Sequence, residues 1–371
     1  MAERPSSPRP IALDAFGTDA RPGPEIDAAI LAAGSGIAIE LVGDHSRLEP
    51  LLERRLADLD ADVHASAITL VDAAEEIGMD ESPARAVRAK PGASLCVAVD
   101  RVKSGAAAAA VSAGNSGAML AASLFGLGRI AGVDRPAIVA NLPQIPPGLA
   151  ADQAAPPDAV LLDAGANVDC SALHLVQFAV LGATWSGLWH GIERPRVAIL
   201  SNGHEAGKGT PATRGAHRAL SEHADQAGAD AAFEFVGYVE PHALFSATCD
   251  VIVTDGWTGN VALKLAEGAM AAWPRMLQRT IAASEGAAAI TAALAPALRQ
   301  LGERLDPDTH GGAPLLGVDG AIMICHGAAG PRALHAALQM AHRFAEQGGF
   351  EALQRAVAEH GELFELARRQ R

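Results

Sequence analysis

Residues 250–264 read Asp-Val-Ile-Val-Thr-Asp-Gly-Trp-Thr-Gly-Asn-Val-Ala-Leu-Lys, and their pattern decides the fold. A short run of β-branched apolar residues comes first, followed by a polar loop with two glycines and then by a helical spacing of apolar positions. Continuous apolar runs of this length are typical of strands that are buried on both faces. The stretch therefore predicts a buried strand, a tight loop and a helix in succession.

The same strand–loop–helix order recurs along the chain, although the sequence itself does not repeat. A glycine-rich polar loop follows each of the apolar runs at residues 11–13, 108–111, 160–162, 197–200 and 322–324. Strands that alternate with helices need crossover connections, which produce a mostly parallel sheet flanked by helices. A helix over residues 94–103, with Leu95, Val99 and Val102 on one face and a cap at Gly105, agrees with this α/β fold.

Composition limits the classes of function. The chain has 371 residues, of which 49% are apolar, so it can form one large α/β unit with two lobes, or two domains. Its formal net charge of −14 disfavours nucleic acid as a partner. The four cysteines are scattered without a CxxC pair, which favours reduced thiols in a cytoplasmic protein. We see no signal peptide and no apolar run long enough to span a membrane.

Three segments are predicted. Residues 1–10 are polar and proline-rich and are expected to be a disordered tail. Residues 11–345 form the catalytic α/β unit, with two lobes around a cleft and a helical hairpin at about residues 270–305. Residues 346–371 form a C-terminal helix and tail, since the pattern after about residue 347 indicates one more helix.

The loops at the strand ends carry most of the polar residues that could do chemistry. In open α/β sheets, ligands bind beyond the carboxyl ends of the strands. Loops that converge there place helix N-termini and their free N–H groups in one cleft, which suits phosphate. The sequence therefore predicts a single cleft for a small anionic ligand.

Two lysines are candidates to bind that anion. Lys208 lies between two glycines in a loop, where it either approaches a phosphate as a point charge or is simply solvated. Lys264 shares a helix face with Asn260, four residues earlier, and either binds an anion or pairs with Glu267.

The asparagines, aspartates and histidines have competing explanations. Asn115, Asn167 and Asn260 favour turns by their backbone geometry, but their amides can also donate to an oxyanion. Aspartates at strand ends most often cap helices. His204 and His326 are the candidate acid–base groups or are structural. Cys325 precedes His326 directly, and neighbours on a strand point to opposite faces, which disfavours a catalytic thiol.

Several familiar sites are unsupported. The nucleophile elbow Gly-x-Ser-x-Gly is absent, and so are the Walker pattern and a GxGxxG after the first strand. No His/Cys/Asp set has metal-ligand spacing, so we expect no metal and no cofactor.

Four segments resemble the bacterial phosphate acyltransferase family of glycerolipid synthesis. They are residues 250–264, residues 111–119 (Val-Ser-Ala-Gly-Asn-Ser-Gly-Ala-Met), residues 162–170 (Leu-Asp-Ala-Gly-Ala-Asn-Val-Asp-Cys) and residues 311–317 (Gly-Gly-Ala-Pro-Leu-Leu-Gly). The resemblance runs in order from about Ile11 to His342.

The resemblance implies a fold related to the isocitrate and isopropylmalate dehydrogenases and to phosphotransacetylase. It implies transfer of a fatty acyl group from acyl carrier protein to inorganic phosphate. It also implies a homodimer that is cytoplasmic and peripherally associated with the membrane. Its product would pass to a glycerol-3-phosphate acyltransferase partner.

Roles for residues follow from that chemistry. The expected catalytic residues are Asn167 and Asn260 as oxyanion donors, Lys208 and Lys264 as phosphate ligands, and His326 as the group that protonates the leaving thiolate or orients phosphate. The expected substrate-binding residues are Asp14, Asn115, Ser116, Gly117, Asp163, Asp169, Asp255 and Thr258. Among them, Asp163, Asp169 and Asp255 are expected to order the cations and loops. A basic face of Arg85, Arg88, Lys90, Arg101 and Lys103 is either the docking site for the acidic carrier protein or a solvated surface.

Three loops depart from the family pattern. They read Phe16-Gly-Thr-Asp19, where the family has Met-Gly-Gly-Asp, Gly203-His-Glu205, where it has Gly-Glu-Glu, and His326-Gly-Ala-Ala329, where it has His-Gly-Ser-Ser. Thr18, Ala328 and Ala329 therefore leave open a diverged, non-catalytic paralogue that binds acyl carrier protein or a synthesis partner. Phosphotransacetylase-like chemistry on a CoA thioester and a dehydrogenase of the related fold are further alternatives.

Overall fold

Two sheets, rather than one, hold the strands of this protein. The computed structural model describes residues 9–57, 65–146, 148, 156–305 and 311–370, so the expected disorder of the N-terminal tail falls largely outside the described residues. The strands are β1 (Ile11–Asp14), β2 (Ile39–Gly43), β3 (Ile68–Asp72), β4 (Ala109–Ser112), β5 (Ala137–Ile138), β6 (Ala140–Leu142), β7 (Ala159–Leu162), β8 (Arg196–Leu200), β9 (Glu234–Val239), β10 (Val251–Val253), β11 (Ala313–Leu316) and β12 (Ile322–Ile324).

The helices cover the faces of both sheets. They are α1 (Gly23–Gly34), α2 (His45–Ala57), α3 (Pro83–Ala89), α4 (Ser94–Lys103), α5 (Ser116–Gly126), α6 (Ala172–His190), α7 (Pro211–Ala227), α8 (Gly256–Ala282), α9 (Ala287–Leu305), α10 (Pro331–Glu346), α11 (Gly349–Glu359) and α12 (Gly361–Arg369). Helix α4 occupies the predicted range, and Gly105 follows it with a left-handed φ of 74°. The predicted apolar runs all become strands, with bounds shifted by at most one residue.

The first sheet, in the order β3-β2-β1-β4-β12-β11-β5, defines the first lobe. The second sheet, in the order β6-β7-β10-β8-β9, defines the second lobe. Pairing is parallel except at β5, β6 and β11, which are short strands at or next to an edge. Only Val139 separates β5 in the first sheet from β6 in the second, so the chain crosses between the lobes there. The predicted α/β fold with mostly parallel pairing and flanking helices is confirmed, and its strands are divided between two sheets.

Helix α6 forms the centre of the second lobe. Phe178 and Trp185 on this helix are fully buried, because helices α7, α11 and α12 and strand β10 all pack against it. The sequence predicted one helix after about residue 347, whereas the structure contains two. His360 ends α11 with a ψ of 20°, and its ring Nδ1 lies 2.7 Å from the carbonyl oxygen of Ala356. This break lets Leu363 and Phe364 turn into the core.

Helices α8 and α9 contact each other and are joined by residues 283–286. Several large apolar side chains of α8 are exposed, including Trp273 at 70% and Met276 at 64%. Within the described residues, no helix combines the length and apolar character needed to cross a bilayer.

Gly259 allows α8 to start directly against the end of β7. A Cβ atom at this position would overlap the carbonyl oxygen of Asp163 and approach Cγ2 of Thr254 to 2.9 Å. Gly268 lies further along the same helix, and a Cβ there would meet nothing within 4 Å. Of these two glycines, only Gly259 lies where a side chain would prevent the close approach of the helix to the strand.

We predict that Gly259→Ala lowers the free energy of unfolding by about 1–3 kcal/mol, because the added methyl group must displace backbone. Gly268→Ala is the matched control, and it should raise the free energy of unfolding by up to about 1 kcal/mol through helix propensity alone. Urea unfolding followed by circular dichroism measures both. Equal shifts in the two variants would contradict the packing argument.

Candidate active site

A cavity of about 290 Å³ opens where the loop after β7 meets the first turns of α8. We call it the α8 cavity. Strands β7 and β10 are neighbours, so the loops that leave their carboxyl ends lie side by side. The residues that line the cavity are Gly165, Asn167, Val168, Gly256, Trp257, Asn260, Val261 and Lys264. The predicted residues Asn167, Asn260 and Lys264 are thus brought together.

Asp163 lies beneath the cavity and organises its loop. The side chain is fully buried. Its Oδ1 accepts hydrogen bonds from the backbone N–H groups of Ile138, Gly165 and Ala166 at 2.9–3.0 Å, and its Oδ2 accepts from the backbone and side chain of Asn167 at 2.7 and 2.8 Å. Asp163 was expected both to belong to the substrate site and to order its loops, and its hydrogen bonds serve the second role.

The two asparagines of the cavity differ in what their amides are free to do. Asn167 is buried, and its Nδ2 donates to the carbonyl oxygen of Pro136 at 2.7 Å and to Asp163 at 2.8 Å. Both of its amide hydrogens are therefore used, which argues against the predicted role as an oxyanion donor. Asn260 is exposed, and its amide makes no hydrogen bond to a described residue. It is the asparagine that can donate to a ligand.

Asp255 and Thr258 form the cap of α8. Oδ1 of Asp255 accepts from the backbone N–H of Thr258, and Oδ2 accepts from the Thr258 hydroxyl, both at 2.8 Å. This is the capping role that strand-end aspartates most often have. Asp169 is exposed at the end of the loop after β7. All three were predicted to bind substrate, and the first two act locally on the helix that carries Asn260 and Lys264.

Lys264 connects the two lobes. Its Nζ lies 2.8 Å from Oε2 of Glu267 on the next turn and 3.2 Å from Nε2 of His326, in the loop after β12 of the first lobe. The lysine side chain is 49% exposed, so it can also reach a ligand in the cavity. The two alternatives from the sequence, an anion site and a pair with Glu267, are compatible in this geometry.

The loops of the first lobe use their polar groups for one another. Asp14 is buried and accepts from the Ser112 hydroxyl at 2.6 Å, and burial raises the pKa of its carboxyl. Asn115 caps α5 by accepting from the backbone N–H of Ala118, and its Nδ2 donates to carbonyl oxygens of residues 78, 79 and 81. Ser116 is exposed and Gly117 packs against Pro83. None of these predicted residues lines the α8 cavity.

Glu25 is a buried carboxylate that sequence reasoning missed. Its Oε1 accepts from the backbone N–H of Thr18 at 2.7 Å, and Thr18 itself does not have a positive φ. Threonine thus fits a position where the family pattern has glycine. Burial raises the pKa of Glu25 to about 7. The only signal in the sequence was an acidic residue in the first turn of a helix.

The loop after β8 lies apart from the cavity lining. Lys208 is exposed, and its backbone N–H donates to the carbonyl oxygen of Glu205 at 2.9 Å. His204 lies 3.3 Å from Glu240 at the end of β9. Neither residue lines the α8 cavity, so the expectation that all strand-end loops share one cleft is met only in part. Cys325 is buried, and burial raises the pKa of its thiol to about 12, which makes it a poor nucleophile.

Residues 10–351 match the protein family described as "Fatty acid synthesis protein". A phosphate acyltransferase of Heliobacterium modesticaldum is 42% identical over 348 residues, which is 94% of this chain and 97% of the relative. This chain belongs to the phosphate acyltransferase family. A phosphate acyltransferase of Myxococcus xanthus is likewise 42% identical, over 94% of this chain and 93% of its own length. The resemblance drawn from the strand-end motifs is confirmed, and with it the expectation of an enzyme that transfers acyl groups.

Solved structures support the fold of this chain. A phosphotransacetylase from Staphylococcus aureus superimposes with a TM-score of 0.57 at 15% identity, over 92% of this chain and 94% of that one. A phosphotransacetylase from Streptococcus pyogenes gives 0.56 at 18% identity, over 91% and 94%. The phosphotransacetylase-like fold that the motifs implied is therefore confirmed.

Glu25 leads to a prediction about pH. Its pKa rises from 4.5 to about 7 on folding, so the folded state binds more protons between these values and the free energy of unfolding falls as pH rises through them. At pH 8, Glu25→Gln should therefore be more stable than the wild type by about 1–3 kcal/mol, and at pH 4 this difference should vanish. Thermal and urea unfolding at both pH values measure it.

Glu53→Gln is the control for that comparison, because Glu53 is an exposed acid on α2. It should change stability by less than about 0.5 kcal/mol at either pH. A Glu25→Gln variant that loses stability at pH 8 would mean that the charged carboxylate is needed to hold Thr18.

Proposed function

We propose that this protein transfers a fatty acyl group from the thioester of acyl carrier protein to inorganic phosphate. The phosphate oxygen attacks the carbonyl carbon, the new C–O bond forms, and the C–S bond breaks. The proton that phosphate gives up ends on the departing thiol, so the products are acyl phosphate and free carrier protein. The observation that carries the proposal is Lys264, a cation that meets His326 at the edge of a largely apolar cavity.

The reaction needs a cation that binds phosphate and a hydrogen-bond donor that stabilises the oxyanion, and we assign these roles to Lys264 and Asn260. An ammonium group binds phosphate as a point charge without a fixed geometry. A free amide N–H that is aimed at the carbonyl oxygen stabilises the tetrahedral oxyanion, and one such donor is typically worth ~10²–10³ in rate. Both side chains line the same cavity and lie four residues apart on α8, which places them on one face of the helix.

His326 is the candidate for moving the proton. Because the Lys264 ammonium can only donate, Nε2 of His326 is the acceptor in their contact, and Nδ1 carries the hydrogen. When the Lys264 ammonium turns from Nε2 to a bound phosphate, Nε2 becomes free to accept the phosphate proton and pass it to the thiolate. Glu267 also accepts from the Lys264 ammonium at 2.8 Å, which restrains the lysine beside His326.

Lys208 and Asn167 have lesser support. Lys208 stays a predicted phosphate ligand, based on its position between glycines in a strand-end loop. Asn167 is better explained as a positioning residue, because its amide joins Asp163 to Pro136 beneath the cavity. Its backbone carbonyl also accepts from the N–H of Gly256, which ties the loop to the start of α8.

Acyl carrier protein as the donor rests on the family resemblance and on the basic face predicted from the sequence. Much of that charge has partners, since Lys90 pairs with Glu81, Arg101 pairs with Glu40, and Arg88 lies over the ring of Phe125. Arg85 and Lys103 are exposed. We place carrier docking on this face, with Arg85 and Lys103 as its most accessible cations.

Assembly and location are part of the proposal. We infer a cytoplasmic homodimer with peripheral membrane association, which delivers acyl phosphate to a glycerol-3-phosphate acyltransferase. The exposed Trp273 and Met276 on α8, and Leu294 and Leu301 on α9, supply an apolar face for the second copy.

The first test is acyl phosphate formation from palmitoyl carrier protein and inorganic phosphate, trapped with hydroxylamine. We expect product that depends on phosphate, and a higher kcat/KM with palmitoyl carrier protein than with palmitoyl-CoA. A preference for the CoA thioester would favour chemistry like that of phosphotransacetylase. Folded protein that binds the carrier but forms no product would favour the non-catalytic paralogue.

Lys264→Met should lower kcat/KM for phosphate by about 10- to 100-fold, the usual value of a hydrogen bond to a charged group. Arg279→Met removes an exposed cation from the last turn of the same helix and is the control, with an expected change below about twofold. Steady-state kinetics at varied phosphate measures both. Equal KM and kcat for Lys264→Met and the wild type would remove the lysine from the mechanism.

A further inference from the structure

Large apolar side chains at the α8 cavity are exposed to solvent. Val168 is 70% exposed, Trp257 is 66% exposed and Val261 is 53% exposed, and all three line the cavity. Leu265 is 72% exposed and lies one turn further along α8. Scattered exposed apolar residues need no explanation, but a contiguous set beside polar groups typically marks a binding site.

The spacing of these residues defines a track. Positions 257, 261 and 265 recur every four residues, so they follow one face of α8 over about 12 Å at 1.5 Å per residue. Asn260 and Lys264 lie directly beside them on the same helix. Val168 comes from the loop after β7 and forms the facing wall of the cavity. We call Val168, Trp257, Val261 and Leu265 the apolar track.

We propose that the apolar track binds the hydrocarbon chain of the acyl donor, with Trp257 as the residue that determines chain-length specificity. The inference rests on the proposed function, since it assigns a place to the acyl group of that reaction. Nothing in the polar machinery of Lys264, Asn260 and His326 can distinguish a long chain from a short one. The residues that determine chain-length specificity must therefore lie on an apolar surface next to these polar residues.

The occupant of this track is an acyl chain because the cavity combines two kinds of surface. An occupant must offer an apolar body to Trp257 and Val261, and a carbonyl or anionic group to Asn260 and Lys264 within the same small volume. A fatty acyl thioester beside phosphate meets both demands. The more distant Trp273 and Met276 lie outside the cavity lining and suit contact with a second copy of the chain.

Kinetics with two chain lengths tests the specificity. In Trp257→Ala, we expect kcat/KM for palmitoyl carrier protein to fall about 10-fold, and that for octanoyl carrier protein to fall about threefold or less, because buried methylenes each contribute to binding. The KM for phosphate should not change. Trp257→Phe should stay within about twofold of the wild type. Trp273→Ala, with a tryptophan of similar exposure on the same helix, is the control and should not change the palmitoyl-to-octanoyl ratio.

Tryptophan fluorescence tests binding without catalysis. Palmitoyl carrier protein should shift the emission to shorter wavelength as the chain covers Trp257. The shift should disappear in Trp257→Phe, persist in Trp273→Phe, and be absent with carrier protein that lacks an acyl chain. If the wild type forms no acyl phosphate, the proposed function fails, whereas this shift still reports whether the chain occupies the track.

Three results would overturn the inference. The first is an equal loss of kcat/KM for both chain lengths in Trp257→Ala, and the second is a fluorescence shift that survives in Trp257→Phe. The third is dissociation of the dimer in Trp257→Ala, measured by light scattering, with an unchanged chain-length ratio. That result would assign the track to the second copy of the chain.

Discussion

The buried carboxylate of Asp163 is the interaction on which the site depends. A carboxylate without water around it is costly unless hydrogen bonds replace the lost hydration. The loop after β7 folds around it to supply those bonds, and Ile138 supplies another from β5 in the other sheet. One group thus shapes the cavity wall and ties the two lobes together at the same point.

The second link between the lobes joins two residues for which we propose roles in the reaction. Lys264 belongs to the second lobe and His326 to the first, and they meet at 3.2 Å. The two side chains therefore meet only when the lobes are in this relative position. Gly259 lies directly against Asp163, so this contact fixes the start of α8 at the end of β7. The position of the helix in turn determines where the Lys264 side chain can reach. The contacts that hold the lobes together therefore also determine the geometry of the site.

Local patterns were readable from the sequence, and distant pairings were not. The six apolar runs and helix α4 were found because buried strands and amphipathic helices can be recognised from the order of neighbouring residues. The three antiparallel strands were not found, because β5, β6 and β11 have only two to four residues and no alternation. Asn115 and Asn167 looked like ligand donors, but their amides meet carbonyl oxygens more than 30 residues away, which no local spacing reveals.

Helix α8 explains why the motif at residues 250–264 carries so much of the family resemblance. Asp255 caps the helix, and the two turns after it carry Asn260 and Lys264 beside Trp257 and Val261. A substrate with a polar and an apolar part needs a polar and an apolar surface at a fixed distance from each other. Two neighbouring rows of side chains on one rigid helix keep that distance without a flexible loop. A change in the cap would rotate both rows together, so rate and chain-length preference are expected to vary jointly with the first turn of this helix.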